Sequence, residues 1–194
     1  MKKDIIISGV GGQGILTIAA IIGTAALNEN LQLKQAEVHG MSQRGGDVQS
    51  HLRLSSENIA SDLIPEGKAD LVISIEPLES LRYVNMLNKK TGWLISSMNP
   101  VNNIKNYPPL EQVLHEIWKF PQYITIDSEK VAKEQGSIKT ANIVVLGASS
   151  PFLDLKIESF EKAIESVFSR KGEEMIKMNL KAFRAGREYA EKNT

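Results

Sequence analysis

The sequence contains no cysteine in its 194 residues. Disulfides are therefore excluded, as is an iron–sulfur cluster held by the chain's own thiolates. The absence suits a reducing compartment, and a cytoplasmic location is expected. Neither sign of charge is in excess: Lys plus Arg and Asp plus Glu each number 23. That balance argues against a nucleic-acid partner, which calls for a basic face. Long apolar runs are missing as well. The N-terminal run is only Ile5 to Ile7, too short for a signal-peptide core, and nothing approaches the ~20 residues of a membrane span. The three histidines, His39, His51 and His115, have no cysteine partner and no His-x-x-x-His spacing, so no metal site is expected. There is no G-x-S-x-G elbow, no repeat and no Pro/Ser-rich linker, and no catalytic residue can be named. A single domain spanning 1–194 is the expectation.

What the chain does have is the ordinary make-up of a globular protein, with 42% hydrophobic and 24% charged residues. Asp4 to Ser8 reads as a strand and Ile15 to Leu27 as a helix that is apolar nearly all round. Leu33 to Val38 reads as a second strand. Asp47 to Leu54 is a third, with Val48, Ser50, Leu52 and Leu54 on one face. Its other face carries Asp47, Gln49, His51 and Arg53, and is expected near solvent or a partner. Eight residues, His39 to Gly46, link these two strands. A parallel crossover needs about a dozen or more, so an antiparallel hairpin is expected within 33–54. Strands follow at Asp70–Ile75, Trp93–Ser97 and Tyr123–Asp127, with a helix opened by Pro77 and a helix capped by Asp127 or Ser128. Asn142 to Leu146 fits a strand or a buried helix turn equally. Helical faces recur at Ile157, Phe160, Ile164, Val167 and Phe168, and at Ile176, Leu180 and Phe183. The alternation predicts an α/β fold of three layers with a mostly parallel, mixed sheet.

Two stretches carry chemistry. Gly9, Gly11 and Gly14 form G-x-G-x-x-G between a strand and a helix, with Gly12 and Gln13 inside the turn. Glycines allow the sharp turn, and the first amides of the helix can face an anion. A ligand-free strand-to-helix turn explains the same pattern. A nicotinamide site would also need an acidic residue ending the second strand, and the one candidate, Glu37, falls short of that end. The second stretch is "HGMSQRGG", His39 to Gly46. Arg44 offers a planar fork for phosphate or carboxylate, Gly45 and Gly46 leave room, and Ser42 and Gln43 add hydrogen-bonding groups. A solvated hairpin with a paired arginine is the plainer alternative. Both stretches belong to ends of neighbouring strands and are expected to converge at one sheet edge. Glu76, before Pro77, is placed either in that crevice or as a helix cap. Trp93 and Trp118 read as core or interface.

"GVGGQGILTIAAIIGTAAL" followed by "EVHGMSQRGGDVQSHLRL" resembles the gamma domain of the 2-oxoacid:ferredoxin oxidoreductases, within the branch that acts on aryl-pyruvates such as indolepyruvate. "ADLVISIEPLES" is a secondary echo. The resemblance implies a Rossmann-like fold and oxidative decarboxylation of the 2-oxoacid to an acyl-CoA, with ferredoxin as electron acceptor. It also implies thiamine diphosphate, Mg²⁺, iron–sulfur clusters and CoA in the complex. No G-D-G…N pattern and no cysteine occur here, so a larger Cys-rich alpha subunit is expected to hold those groups. The site residues carried over are Gly11, Gly12, Gln13 and Gly14, with Ser42, Gln43, Arg44, Gly45 and Gly46. Their expected role is to hold an anionic group or to lock the partner's loops. The alternative is a stand-alone NAD(P)- or flavin-binding oxidoreductase.

Overall fold

The computed structural model describes residues 1–39 and 45–194, residue 39 by its backbone only. Among them the strands are β1 (Lys2–Val10), β2 (Gln32–His39), β3 (Asp47–Ser55), β4 (Leu71–Ser74), β5 (Trp93–Ser97) and β6 (Tyr123–Ile126). The helices are α1 (Ile15–Asn28), α2 (Pro77–Arg82), α3 (Leu110–Ile117), α4 (Ser128–Glu134), α5 (Ala141–Ser149), α6 (Ile157–Phe168) and α7 (Glu173–Lys192). One sheet runs in the order β2-β3-β1-β4-β5-β6. β1, β4, β5 and β6 pair in parallel, and β3 alone runs backwards, antiparallel to both β1 and β2. The expected hairpin is present. Its return strand, however, slots between β2 and β1 and separates them.

Alternation along β1 sends Ile5 and Ile7 to one face and Ile6 to the other. The first face is the larger core, built with α1, α5, α6 and α7; the second is covered by α2 and α3. On this second face the parallel strands place Ser8, Ser74, Ser96 and Thr125 in one row across the sheet. Those small side chains let the short helix α2 lie close over β1, β4 and β5. Asn142 to Leu146 is helical, inside α5, whose residues Ile143 to Ser149 are all buried.

The polar face of β3 is partly covered, with His51 buried and Asp47, Gln49 and Arg53 half-buried. Residues 59–64 cover it: Ile64 N–H donates to His51 Nδ1 (3.0 Å), and Arg53 donates to the carbonyls of Ser61 and Leu63. Arg53 also forms a two-pronged ion pair with the buried Asp4 (2.7 and 3.0 Å). Burial holds His51 below the usual histidine range, with Arg53 reinforcing and Asp62 opposing. That agrees with a neutral ring accepting through Nδ1. The alternating pattern was legible; the segment that covers it carried no periodic signal.

At the far border, β6 is sealed. Tyr189 of α7 donates to the carbonyl of Thr125 (3.0 Å), and Trp118 Nε1 donates to Thr125 Oγ1 (3.2 Å). Trp93 is half-buried against the larger core and stacks on Phe152. No helix among the described residues is long and apolar enough to cross a membrane.

Candidate functional site

Because β1, β2, β4, β5 and β6 are parallel, their carboxyl ends share one edge, and the reversed β3 begins there. β1 ends at Val10 and α1 begins at Ile15. The turn between them needs glycine at Gly12 (φ 103°) and at Gly14 (φ 86°), which is the N-cap of α1. The two sequence stretches do meet. Gly11 N–H donates to the carbonyl of Gly46 at 2.8 Å, and Gly45 N–H approaches Gly11 O at 3.5 Å. Gly11, Gly12, Gln13, Gly14, Gly45 and Gly46 are thus neighbours around one turn. Ser42, Gln43 and Arg44 lie outside the described residues.

The turn uses much of its own donor capacity. Gln13 folds its side chain back, so that Oε1 accepts Val10 N–H (2.7 Å) and Nε2 donates to Ile75 O (3.3 Å). Gln13 N–H donates to Val10 O, and Gly11 N–H is taken by Gly46. Among the described residues, the amides of Gly12, Gly14, Ile15 and Leu16 have no acceptor, as expected for a helix start. Those four could receive an anion. Gln13→Ala is expected to lower stability by about 1–2 kcal/mol, mainly by orphaning the Val10 amide. Urea unfolding would show this as a lower midpoint at unchanged m-value.

A dinucleotide reading fares poorly here. Glu37 pairs with Ser50, which pairs with Ile7, so β3 lies between Glu37 and β1. Two strand spacings put it roughly 10 Å away laterally, and the Ile7 register puts it below the edge. An acid placed so cannot reach a ribose seated on the glycine turn.

The same edge holds side chains that carried no motif. Glu76, 1% exposed, caps α2 by accepting Glu79 N–H (2.7 Å). Its other oxygen accepts Val101 N–H (3.3 Å) and the Tyr107 hydroxyl. The capping role is realised. Burial, then the bond to Glu76, raises Tyr107 well above the usual tyrosine range. Asn103, from the same segment, donates to Gly45 O (2.8 Å) and ties residues 99–109 to the glycine loops. Farther along, Asn99 Oδ1 accepts from Ser128 Oγ and Glu129 N–H (both 3.0 Å), and Asp127 caps α4 through Lys130 N–H. His51 is structural and His115 is exposed.

An open α/β sheet with one reversed strand, its glycine turn closed by a glutamine and braced by a second glycine segment, defines a Rossmann-like protein whose loops cluster at one sheet edge. The chain belongs to the pyruvate ferredoxin/flavodoxin oxidoreductase family, which matches residues 4–189. It is 36% identical to the indolepyruvate oxidoreductase subunit IorB of Archaeoglobus fulgidus, over 96% of this chain and 94% of that one. To the subunit of the same name from Thermococcus kodakarensis it is 38% identical, over 96% and 95%. Among solved structures, the gamma subunit of the keto/oxoacid ferredoxin oxidoreductase of Geobacter sulfurreducens superposes with a TM-score of 0.69 at 27% identity, covering 98% and 99%. The chain offers no thiolate, and among the described residues no group of three His, Asp or Glu side chains is placed to hold a metal. Without cysteine, its side chains do not fit an iron–sulfur cluster.

Proposed function

We propose that the chain is the beta subunit of an indolepyruvate:ferredoxin oxidoreductase. The complex would convert an aryl-pyruvate and CoA to the aryl-acetyl-CoA and CO₂, passing the electrons to ferredoxin. The observation that carries this reading is the end-to-end similarity to the IorB subunits. In it, the chain is one gamma-type domain in the cytoplasm, and a larger Cys-rich alpha subunit holds thiamine diphosphate, Mg²⁺, the clusters and most of the CoA site. Gly11, Gly12, Gln13, Gly14, Gly45 and Gly46, with Ser42, Gln43 and Arg44, would contact that subunit or an anionic group at its active-site border. The convergence of Gly11 with Gly46 supports this placement.

Reconstitution tests it. The purified chain is expected to turn over no indolepyruvate alone, and to give ferredoxin reduction once mixed with the alpha subunit. Turnover by the chain alone, or failure of the two to co-purify, would overturn the reading. In the same assay Arg44→Ala is expected to weaken assembly or raise the KM for CoA. No change in either would remove Arg44 from the site.

A further inference from the structure

We propose that Glu79 and Asp47 form a carboxylic acid–carboxylate pair, with Glu79 carrying the proton, that fastens the start of β3 to α2. This goes beyond the functional reading above and does not depend on it.

Asp47 is the first residue of β3. Its Oδ2 accepts the hydroxyl of Tyr83, the residue capping α2, at 2.7 Å. Its Oδ1 is buried with no hydrogen-bond partner among the described residues. A buried carboxylate oxygen left bare is costly. Glu79, only 4% exposed, stands one helical turn before Tyr83, whose hydroxyl holds Asp47, and the Asp47 carboxylate acts on it to raise its carboxyl. If both were ionised, two negative charges would face each other and Oδ1 would stay bare. A single proton on Glu79 removes the repulsion and supplies the missing donor.

The surroundings agree. Burial pushes the Glu79 carboxyl up to about 7; Arg82 opposes this from the exposed side at 2.9 Å, and Asp47 adds to it. Burial and the bond to Asp47 raise Tyr83 above the usual tyrosine range. The remaining charged or titratable neighbours among the described residues are Glu76, on the same helix turn, and Tyr107, from the 99–109 segment. One residue before Asp47, the Gly46 carbonyl holds the Gly11 amide. The pair therefore braces the second glycine segment against the first.

The sign of the pH dependence follows. Glu79 binds its proton more tightly folded than unfolded, so stability falls as pH rises between about 4.5 and about 7. Carbon-detected NMR of the full chain is expected to show the Glu79 carboxyl titrating with a midpoint near 7. The Tm should fall across that range in the wild type and stay flatter in Glu79→Gln, whose amide still donates to Asp47. Exchange of the Gly11 amide should quicken above the midpoint in the wild type relative to the variant at the same pH. A Glu79 midpoint in the ordinary carboxylate range overturns the proposal, and so does a Tm slope that Glu79→Gln leaves unchanged. If the variant does not fold, the wild-type titration decides alone.

Discussion

Gly147→Ala and Gly186→Ala are each expected to destabilise the protein by about 3 kcal/mol, the upper end of ordinary overpacking costs. A Cβ on Gly147 of α5 would stand 2.0 Å from the carbonyl oxygen of Phe183 and 3.0 Å from the amide of Arg187 in α7. The relation is reciprocal: a Cβ on Gly186 would stand 2.0 Å from Val144 O and 3.1 Å from Ala148 N. Both obstacles are helix backbone, which cannot swing aside as a side chain can. The two helices must separate, and that lifts Phe183, Val144 and their buried neighbours out of contact. Alanine's better helix propensity returns only about 1 kcal/mol per site. Urea unfolding gives the magnitude. The double variant should lose less than the two singles added, because the first Cβ has already parted the helices. A gain of stability in either single variant would mean that the helices do not touch there.

Glu76→Ala is expected to cost roughly 3 kcal/mol for a different reason. The substitution removes the cap of α2, worth about 1 kcal/mol. It also leaves the Val101 amide and the Tyr107 hydroxyl without their acceptor, at about 1 kcal/mol or more each. Glu76→Gln retains an acceptor oxygen and should cost about a third as much. Tyr107→Phe deletes one donor while Val101 N–H still partners the carboxylate, so it should also be mild. The effect should reach the glycine loops, because Asn103, between Val101 and Tyr107, holds Gly45. Hydrogen exchange across residues 99–109 would report it. Equal losses in Glu76→Ala and Glu76→Gln would show that charge, not the acceptor geometry, matters here.

Sequence periodicity carried most of the fold. Trp93–Ser97 is a strand with the expected ends, the 33–54 hairpin is antiparallel, and Asp127 caps its helix. Asn142–Leu146 stayed ambiguous because a segment buried on every side shows neither period. The insertion of β3 between β2 and β1 was not legible, since hairpin length sets pairing but not which strand joins next. The meeting of the two glycine stretches was foreseeable from their strand ends. The Asp47–Tyr83 hydrogen bond was not: 36 positions separate residues that only the topology brings together, and neither sits in a motif. Gly147 and Gly186 were equally silent, because close helix approach depends on a pairing the sequence does not announce.

The two borders of the sheet have different fates. At β6, the outward carbonyl of Thr125 is already taken by Tyr189, so a foreign strand finds no complete row of backbone groups to copy. At β2, the outer border faces no further strand of this sheet. Growth of the sheet by strand addition, whether in assembly or in aggregation, therefore has one direction open to it. The final helix, through one hydroxyl near its end, acts as the stop.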